Sequence, residues 1–111
     1  MGGVKFGAMR ALVVGADWIN QLLSELKARG FDQVDHWSGR SLSTRGKAAK
    51  NTTVVIILID YCGHKIMERG KAEAQRLGIP VVYCKRAVHE LKKEMDRAGF
   101  FACAENSHAA G

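Results

Sequence analysis

The stretch Thr53-Val-Val-Ile-Ile-Leu-Ile-Asp60-Tyr-Cys-Gly-His64 joins an unbroken apolar run to a short cluster of reactive and basic side chains. Its aliphatic residues from Val54 to Ile59 predict a strand that is buried on both faces, because a half-exposed strand alternates apolar and polar side chains. Strands of this kind lie inside parallel sheets that are covered by helices on both sides. The sequence therefore predicts a layered α/β domain built around residues 53–59.

On both sides of this stretch, predicted strands alternate with predicted helices. Short runs of apolar residues predict three more strands, at 10–15, 31–37 and 81–84. Apolar residues at helical spacing predict three helices, at 18–29, 63–77 and 88–98. Asp17 stands where it would cap the first helix, and Gly15 allows a sharp turn at the end of the first strand.

Right-handed connections between these elements give a short parallel sheet in the order 2-1-3-4, a three-layer Rossmann- or flavodoxin-like domain. The connections that follow strands one and three run to opposite faces of such a sheet. The gap that this leaves between the ends of the two strands is the switch point, where ligands bind. We therefore expect a crevice between 15–18 and 60–64, with 36–40 and 85–86 as its outer walls.

The length and the composition of the chain are those of one ordinary domain. A length of 111 residues with 47% hydrophobic and 25% charged residues predicts a single unit over 1–111, with a core at about 10–98 and a disordered tail at 104–111. The formal net charge of +6 favours an anionic partner, although it also serves solubility.

Targeting signals are not visible in the sequence. No apolar run approaches the ~20 residues that a membrane helix requires, and the N-terminus lacks the apolar region of a secretory signal. We therefore expect a cytoplasmic protein without membrane contact, in which Cys62, Cys84 and Cys103 are free thiols.

Polar side chains at the expected crevice are the candidates for ligand binding. His36 and His64 supply polar contacts, Arg40 and Lys85 supply positive charge, and Asp60 orients a histidine or caps a helix. The full candidate set is Asp17, His36, Ser38, Arg40, Asp60, Cys62, His64 and Lys85. The turn after strand one lacks the glycine spacing that cradles phosphates of a dinucleotide, so the expected ligand is small: an oxyanion, a metal ion, or a small neutral or diatomic molecule.

The same residues leave an enzyme open as an alternative. Cys62 lies at the start of a helix, where the dipole lowers the pKa of a thiol, and His64 or His36 would be its base. Cys62 is equally well explained as a small buried residue. No metal site is predicted, and His36, His64 and Cys62 would be the ligands if one existed. The sequence does not identify a cofactor, which stays unknown.

Two kinds of macromolecular partner are also considered. The basic loop 40–50 contains Arg45 and Lys47 and could follow a nucleic-acid backbone, but only Trp37 is near it in sequence, so a solvated loop is favoured. A homodimer is expected because a short open sheet has two edges to protect and Phe100-Phe101 offers apolar surface after the last helix.

The order and spacing of these motifs resemble the DUF2325 family, small bacterial α/β domains of uncharacterised function. Over about residues 10–96 the matching segments are Val13-Val-Gly-Ala16, His36-Trp-Ser-Gly39, Asp60-Tyr-Cys-Gly-His64 and the Pro80-led strand that ends at Lys85. The resemblance implies a site shared by His36, Gly39, Asp60 and His64. Two positions depart from the family pattern: Ala16 replaces a second glycine, and Gly63 replaces a serine.

A nucleophile, a base and an orienting group at recognisable spacing are missing from the sequence. We therefore expect the domain to bind its ligand in a sensing or regulatory role rather than to turn it over.

Overall fold

The computed structural model describes residues 9–38 and 47–101, and in these residues a parallel four-stranded sheet is flanked by three helices. The strands are β1 (Met9–Val14), β2 (Phe31–Trp37), β3 (Thr52–Leu58) and β4 (Val81–Cys84). The helices are α1 (Asn20–Ala28), α2 (His64–Leu77) and α3 (Val88–Arg97). The strand order is β2-β1-β3-β4, which confirms the predicted α/β fold and its order 2-1-3-4.

The central strand is covered on both faces, as its apolar run predicts. Leu22 of α1 and Leu91 of α3 are fully buried in one core cluster with Ile56 of β3. Ile66 of α2 lies in a second cluster with Ile57, the next residue of the same strand. Successive residues of β3 therefore meet different helical layers, which gives the three-layer arrangement.

The connections at the carboxyl end of the sheet differ in detail from the prediction. β3 ends at Leu58, and Ile59–Tyr61 form a 3₁₀ turn that leads into α2. Helix α1 begins at Asn20 rather than at residue 18, with Ile19 at the N-cap position and no side-chain cap. The expected capping role of Asp17 is therefore wrong. The reason is that the chain uses residues 15 and 16 for a left-handed turn, which delays the helix.

The described end of the connection from β2 to β3 lies on the α2 face of the sheet, where Ala48 is buried in the same core cluster as Ile66. This end is held by Glu73 of α2, which accepts the Ala48 amide at 2.9 Å. Arg76 donates to the Ala48 carbonyl at 3.2 Å and to Glu73 at 2.6 Å. The hydrogen bonds from Arg76 and Ala48 hold the pKa of Glu73 below its usual value. These hydrogen bonds attach the segment before β3 to α2.

A buried arginine ties the segment after α3 to the body of the protein. Arg29 is only 4% exposed, and its guanidinium donates to Glu25 at 2.7 Å, to Asp96 at 2.6 Å and to the Phe100 carbonyl at 2.7 Å. The Phe100 ring packs on Phe31, with 5.6 Å between centroids. Phe100 therefore packs against the core.

Phe101, by contrast, is 63% exposed, and the expected homodimer stays a prediction. Cys103, Arg40, Arg45, Gly39 and the tail 104–111 lie outside the described residues. Within the described residues, no helix combines the length and the apolar character needed to cross a membrane.

Replacing Arg29 with Met should destabilise the protein strongly. The substitution keeps the apolar stem but leaves the partly buried Glu25 carboxylate and the Phe100 carbonyl without their donor, which costs about 3 kcal/mol in the free energy of unfolding. Urea unfolding followed by circular dichroism measures the change. The control is Arg97→Met, because Arg97 is exposed and pairs loosely with Glu94 at 3.4 Å. Equal stability of the two variants would show that the Arg29 contacts contribute nothing.

Candidate functional site

The carboxyl end of β1 is a turn that requires glycine at its first position. Gly15 has φ +118°, and its amide donates to the Trp37 carbonyl of β2 at 2.8 Å. A Cβ atom on Gly15 would lie 3.1 Å from both the Cβ and the carbonyl oxygen of Leu58. Both the backbone angle and the close approach to β3 therefore exclude a side chain at this position.

The next residue continues the turn without being a glycine. Ala16 has φ +64°, a left-handed conformation that costs an L-residue about 1–2 kcal/mol. Its amide donates to the Tyr61 carbonyl at 2.7 Å. This hydrogen bond joins the two loops between which a crevice is predicted, so the loops touch at this point and polar side chains are left around their rim.

His36 supports this turn from the neighbouring strand. Its Nε2 atom lies 2.9 Å from the Gly15 carbonyl oxygen and 2.9 Å from the Ala16 carbonyl oxygen. Carbonyl oxygens only accept hydrogen bonds, so Nε2 carries a proton and donates to both. His36 therefore holds the turn in shape through Nε2, which leaves Nδ1 as its remaining ring nitrogen.

Arg86, which directly follows Lys85, connects the loops after β4, β3 and β1. Its backbone amide donates to Asp60 Oδ1 at 3.0 Å, and its side chain donates to the Trp18 carbonyl at 3.1 Å. Its guanidinium carbon lies 4.9 Å from the centroid of the Tyr61 ring. From the sequence, Arg86 is expected only in the wall of the crevice, and Lys85 is expected to be the charged contact with the ligand. The alternation of buried Val82 and Cys84 points to Arg86, because it continues the inward-facing positions of β4.

The other predicted site residues lie in the loops around Arg86. Ser38 donates to Asp17 at 3.0 Å, which ties the end of β2 to the loop after β1. Asp60 accepts from the Arg86 amide, whereas the sequence suggests that it orients a histidine or caps a helix. His64 is exposed as the first residue of α2, whose N-cap residue Gly63 provides no side-chain hydrogen bond.

Burial raises the pKa of both thiols that the structure describes. Cys62 is half-buried against the core cluster on the α2 side of the sheet, and this burial raises the pKa of its thiol above the ordinary value. Burial also raises the pKa of Cys84 to about 12. For Cys62 this direction is opposite to the lowering that the sequence predicts for a thiol at the start of a helix. Among the residues that the structure describes, no three His, Cys, Asp or Glu side chains are grouped to hold a metal ion.

Two large aromatic side chains beside Arg86 are open to solvent. Trp18 is 71% exposed and Tyr61 is 52% exposed. We call the surface formed by Trp18, Tyr61, Lys85 and Arg86 the aromatic–basic patch. The sequence predicts that the three loops of this patch lie together, but it does not single out Trp18, Tyr61 or Arg86, because it does not show which of their side chains stay exposed and in contact.

Comparison with known proteins agrees with the resemblance in the sequence. A family model described as "Uncharacterized protein conserved in bacteria (DUF2325)" matches residues 10–98. This range includes the whole sheet from Arg10 onward, all three helices and the aromatic–basic patch. No curated protein and no solved structure matches the chain.

The two residues of the β1 turn should respond oppositely to exchange of glycine and alanine. Ala16→Gly removes the left-handed strain, which explains the second glycine of the family pattern, and should leave stability unchanged or raise it by up to about 1 kcal/mol. Gly15→Ala adds both strain and a clash with Leu58, and should cost about 2 kcal/mol or more. Thermal unfolding of the two variants and the unsubstituted protein tests this. A destabilised Ala16→Gly variant would contradict the strain argument.

Proposed function

The chain belongs to the DUF2325 family, and we propose that its domain binds a small anion at the carboxyl end of the sheet, in a sensing or regulatory role and without turnover. The observation that carries this proposal is the position of Arg86. Its guanidinium is oriented by the Trp18 carbonyl and the Tyr61 ring, at the edge where parallel sheets bind their ligands. A guanidinium held in this way binds an oxyanion with little further loss of conformational freedom.

The charges around Arg86 favour an anion over the other two ligand classes that the sequence leaves open. Lys85 is exposed beside it, and Lys65 and His64 are exposed in the first turn of α2. The carboxylates of Asp60 and Asp17 lie in the neighbouring loops and offset two of the three positive charges of Arg86, Lys85 and Lys65. The first amides of α2 have no side-chain cap, and such a helix end favours negative charge. Positive charge is therefore in excess at this edge.

The absence of turnover is inferred from how the candidate catalytic groups are used. His36 donates from Nε2 to two carbonyl groups, so this nitrogen does not accept a proton from a thiol. The raised pKa of Cys62 keeps its thiol protonated at neutral pH. These contacts support a rigid binding surface more than a nucleophile with its base, and the thiol-dependent enzyme is the less favoured alternative.

Inorganic phosphate should bind to this edge and depend on Arg86. Charge-assisted hydrogen bonds from a guanidinium are strong, so Arg86→Ala should weaken phosphate binding by about 10-fold at constant ionic strength. Lys85→Ala should weaken it less, because the Lys85 side chain is exposed and flexible. Isothermal titration calorimetry gives the affinities, and circular dichroism checks that each variant is folded.

The matched control is Lys93→Ala on the outer face of α3, where Lys93 makes only a loose contact with Glu90 at 3.5 Å. This variant should bind phosphate like the unsubstituted protein. If Arg86→Ala and Lys93→Ala bind phosphate equally well, the proposed site is wrong.

The pH dependence of Cys62 alkylation separates the binding domain from the thiol-dependent enzyme. Because burial raises the pKa of Cys62, its thiolate forms only at higher pH. The pH of half-maximal reaction with iodoacetamide should therefore lie above about 8.5, which is the ordinary pKa of a cysteine thiol. Peptide mass spectrometry distinguishes modification of Cys62 from that of the other cysteines. Half-maximal reaction below neutral pH would instead favour the enzyme.

A further inference from the structure

The aromatic–basic patch goes beyond what binding of a simple anion requires. We infer that its ligand is a nucleotide unit, with the base stacked on the Trp18 ring and the phosphate held by Arg86 and Lys85. This inference rests on the proposed function and names the chemical class of its ligand. It applies equally to a free nucleotide and to a nucleotide within a single strand, because both present a base linked to a phosphate.

Trp18 provides the stacking surface. An indole that is 71% exposed is unusual in the described chain, where the other tryptophan, Trp37, is only 9% exposed. The backbone beneath Trp18 is fixed, since its carbonyl accepts from Arg86 and the preceding turn is bonded to Tyr61 through Ala16. A large, open ring on a fixed backbone is what base stacking needs, because every base has a face that can stack.

Arg86 supplies the phosphate contact next to this ring. The Trp18 carbonyl accepts one hydrogen bond from the guanidinium, and Tyr61 lies against its face, so most of its N–H groups are left to bind oxygen. Lys85 adds a second exposed cation from the same loop. A positive group beside an aromatic ring is complementary to a nucleotide, which carries a negative group beside an aromatic base.

The β1 turn restricts which nucleotide fits. Dinucleotide-binding domains place a pyrophosphate on a glycine-rich turn, whereas here the Ala16 amide is bonded to Tyr61 and Gly15 packs directly on Leu58. The turn therefore has no free cradle for a pyrophosphate. The phosphate must lie beside the turn at Arg86, which favours a single nucleotide unit over a dinucleotide.

The inference is tested by titrating the full chain with four probes: inorganic phosphate, adenosine, adenosine monophosphate and a short oligodeoxyadenylate. Calorimetry gives the affinities, and tryptophan emission reports stacking, because a base on exposed Trp18 quenches it while buried Trp37 is shielded. Adenosine monophosphate should bind about 10-fold more tightly than phosphate. This advantage should disappear in Trp18→Ala, whose backbone carbonyl still holds Arg86, and remain in Trp18→Phe and in the Lys93→Ala control.

The failure of this inference differs from the failure of the proposed function. If adenosine monophosphate binds no more tightly than phosphate, or if Trp18→Ala leaves its advantage unchanged, the base is not recognised and the inference is overturned. The proposed function still stands in that case, provided that Arg86→Ala weakens phosphate binding. If neither phosphate nor adenosine monophosphate binds, both the inference and the proposed function are wrong.

The two sources of the nucleotide unit are separated by the oligonucleotide. Tighter binding of the strand than of the monophosphate, with an affinity that falls linearly in logarithm with the logarithm of salt concentration, assigns the patch to single-stranded nucleic acid. Equal affinity per nucleotide, with saturation by the monophosphate, assigns it to a free nucleotide. Either result supports the inference.

Discussion

Burial of β3 on both faces is the constraint from which the rest of the structure follows. Neighbouring residues of this strand, such as Ile56 and Ile57, lie in different core clusters, so a helical layer is needed on each side of the sheet. Helices that cross both faces connect strands in parallel, and parallel strands bring all their carboxyl ends to one edge. The loops with polar and aromatic side chains therefore meet at that edge because of an apolar strand whose buried residues take no part in binding.

The turn at Gly15 and Ala16 converts this shared edge into a defined surface. Its amides bond to the end of β2 and to the loop after β3, and His36 donates to its carbonyl groups. The strain of a left-handed alanine persists because three parts of the chain hold it, as is common where structure serves binding. Since these contacts join the loops, we place the ligand on their rim, beside Arg86, rather than deep between them.

Competing electrostatic effects decide which chemistry this edge supports. At Cys62 burial disfavours the charged thiolate and raises the pKa of the thiol. At Arg86 the charge stays at the surface, where a carbonyl and the Tyr61 ring orient it without neutralising it. Both effects support the proposal that this edge binds an anion over the alternative that it attacks a substrate.

The sequence by itself determined the α/β class, the order of the strands and the family, because long apolar runs and the spacing of short motifs are local patterns. It also predicted the edge at which we propose the site, because parallel strands bring their carboxyl ends together. Only the tertiary structure revealed that Arg86 joins Trp18 to Tyr61 and that Asp17 binds Ser38 instead of capping α1. Arg86 and Trp18 are 68 positions apart, and Asp17 and Ser38 are 21. Contacts over such separations leave no periodic signal in the sequence, since their geometry is fixed only when the strands pack side by side.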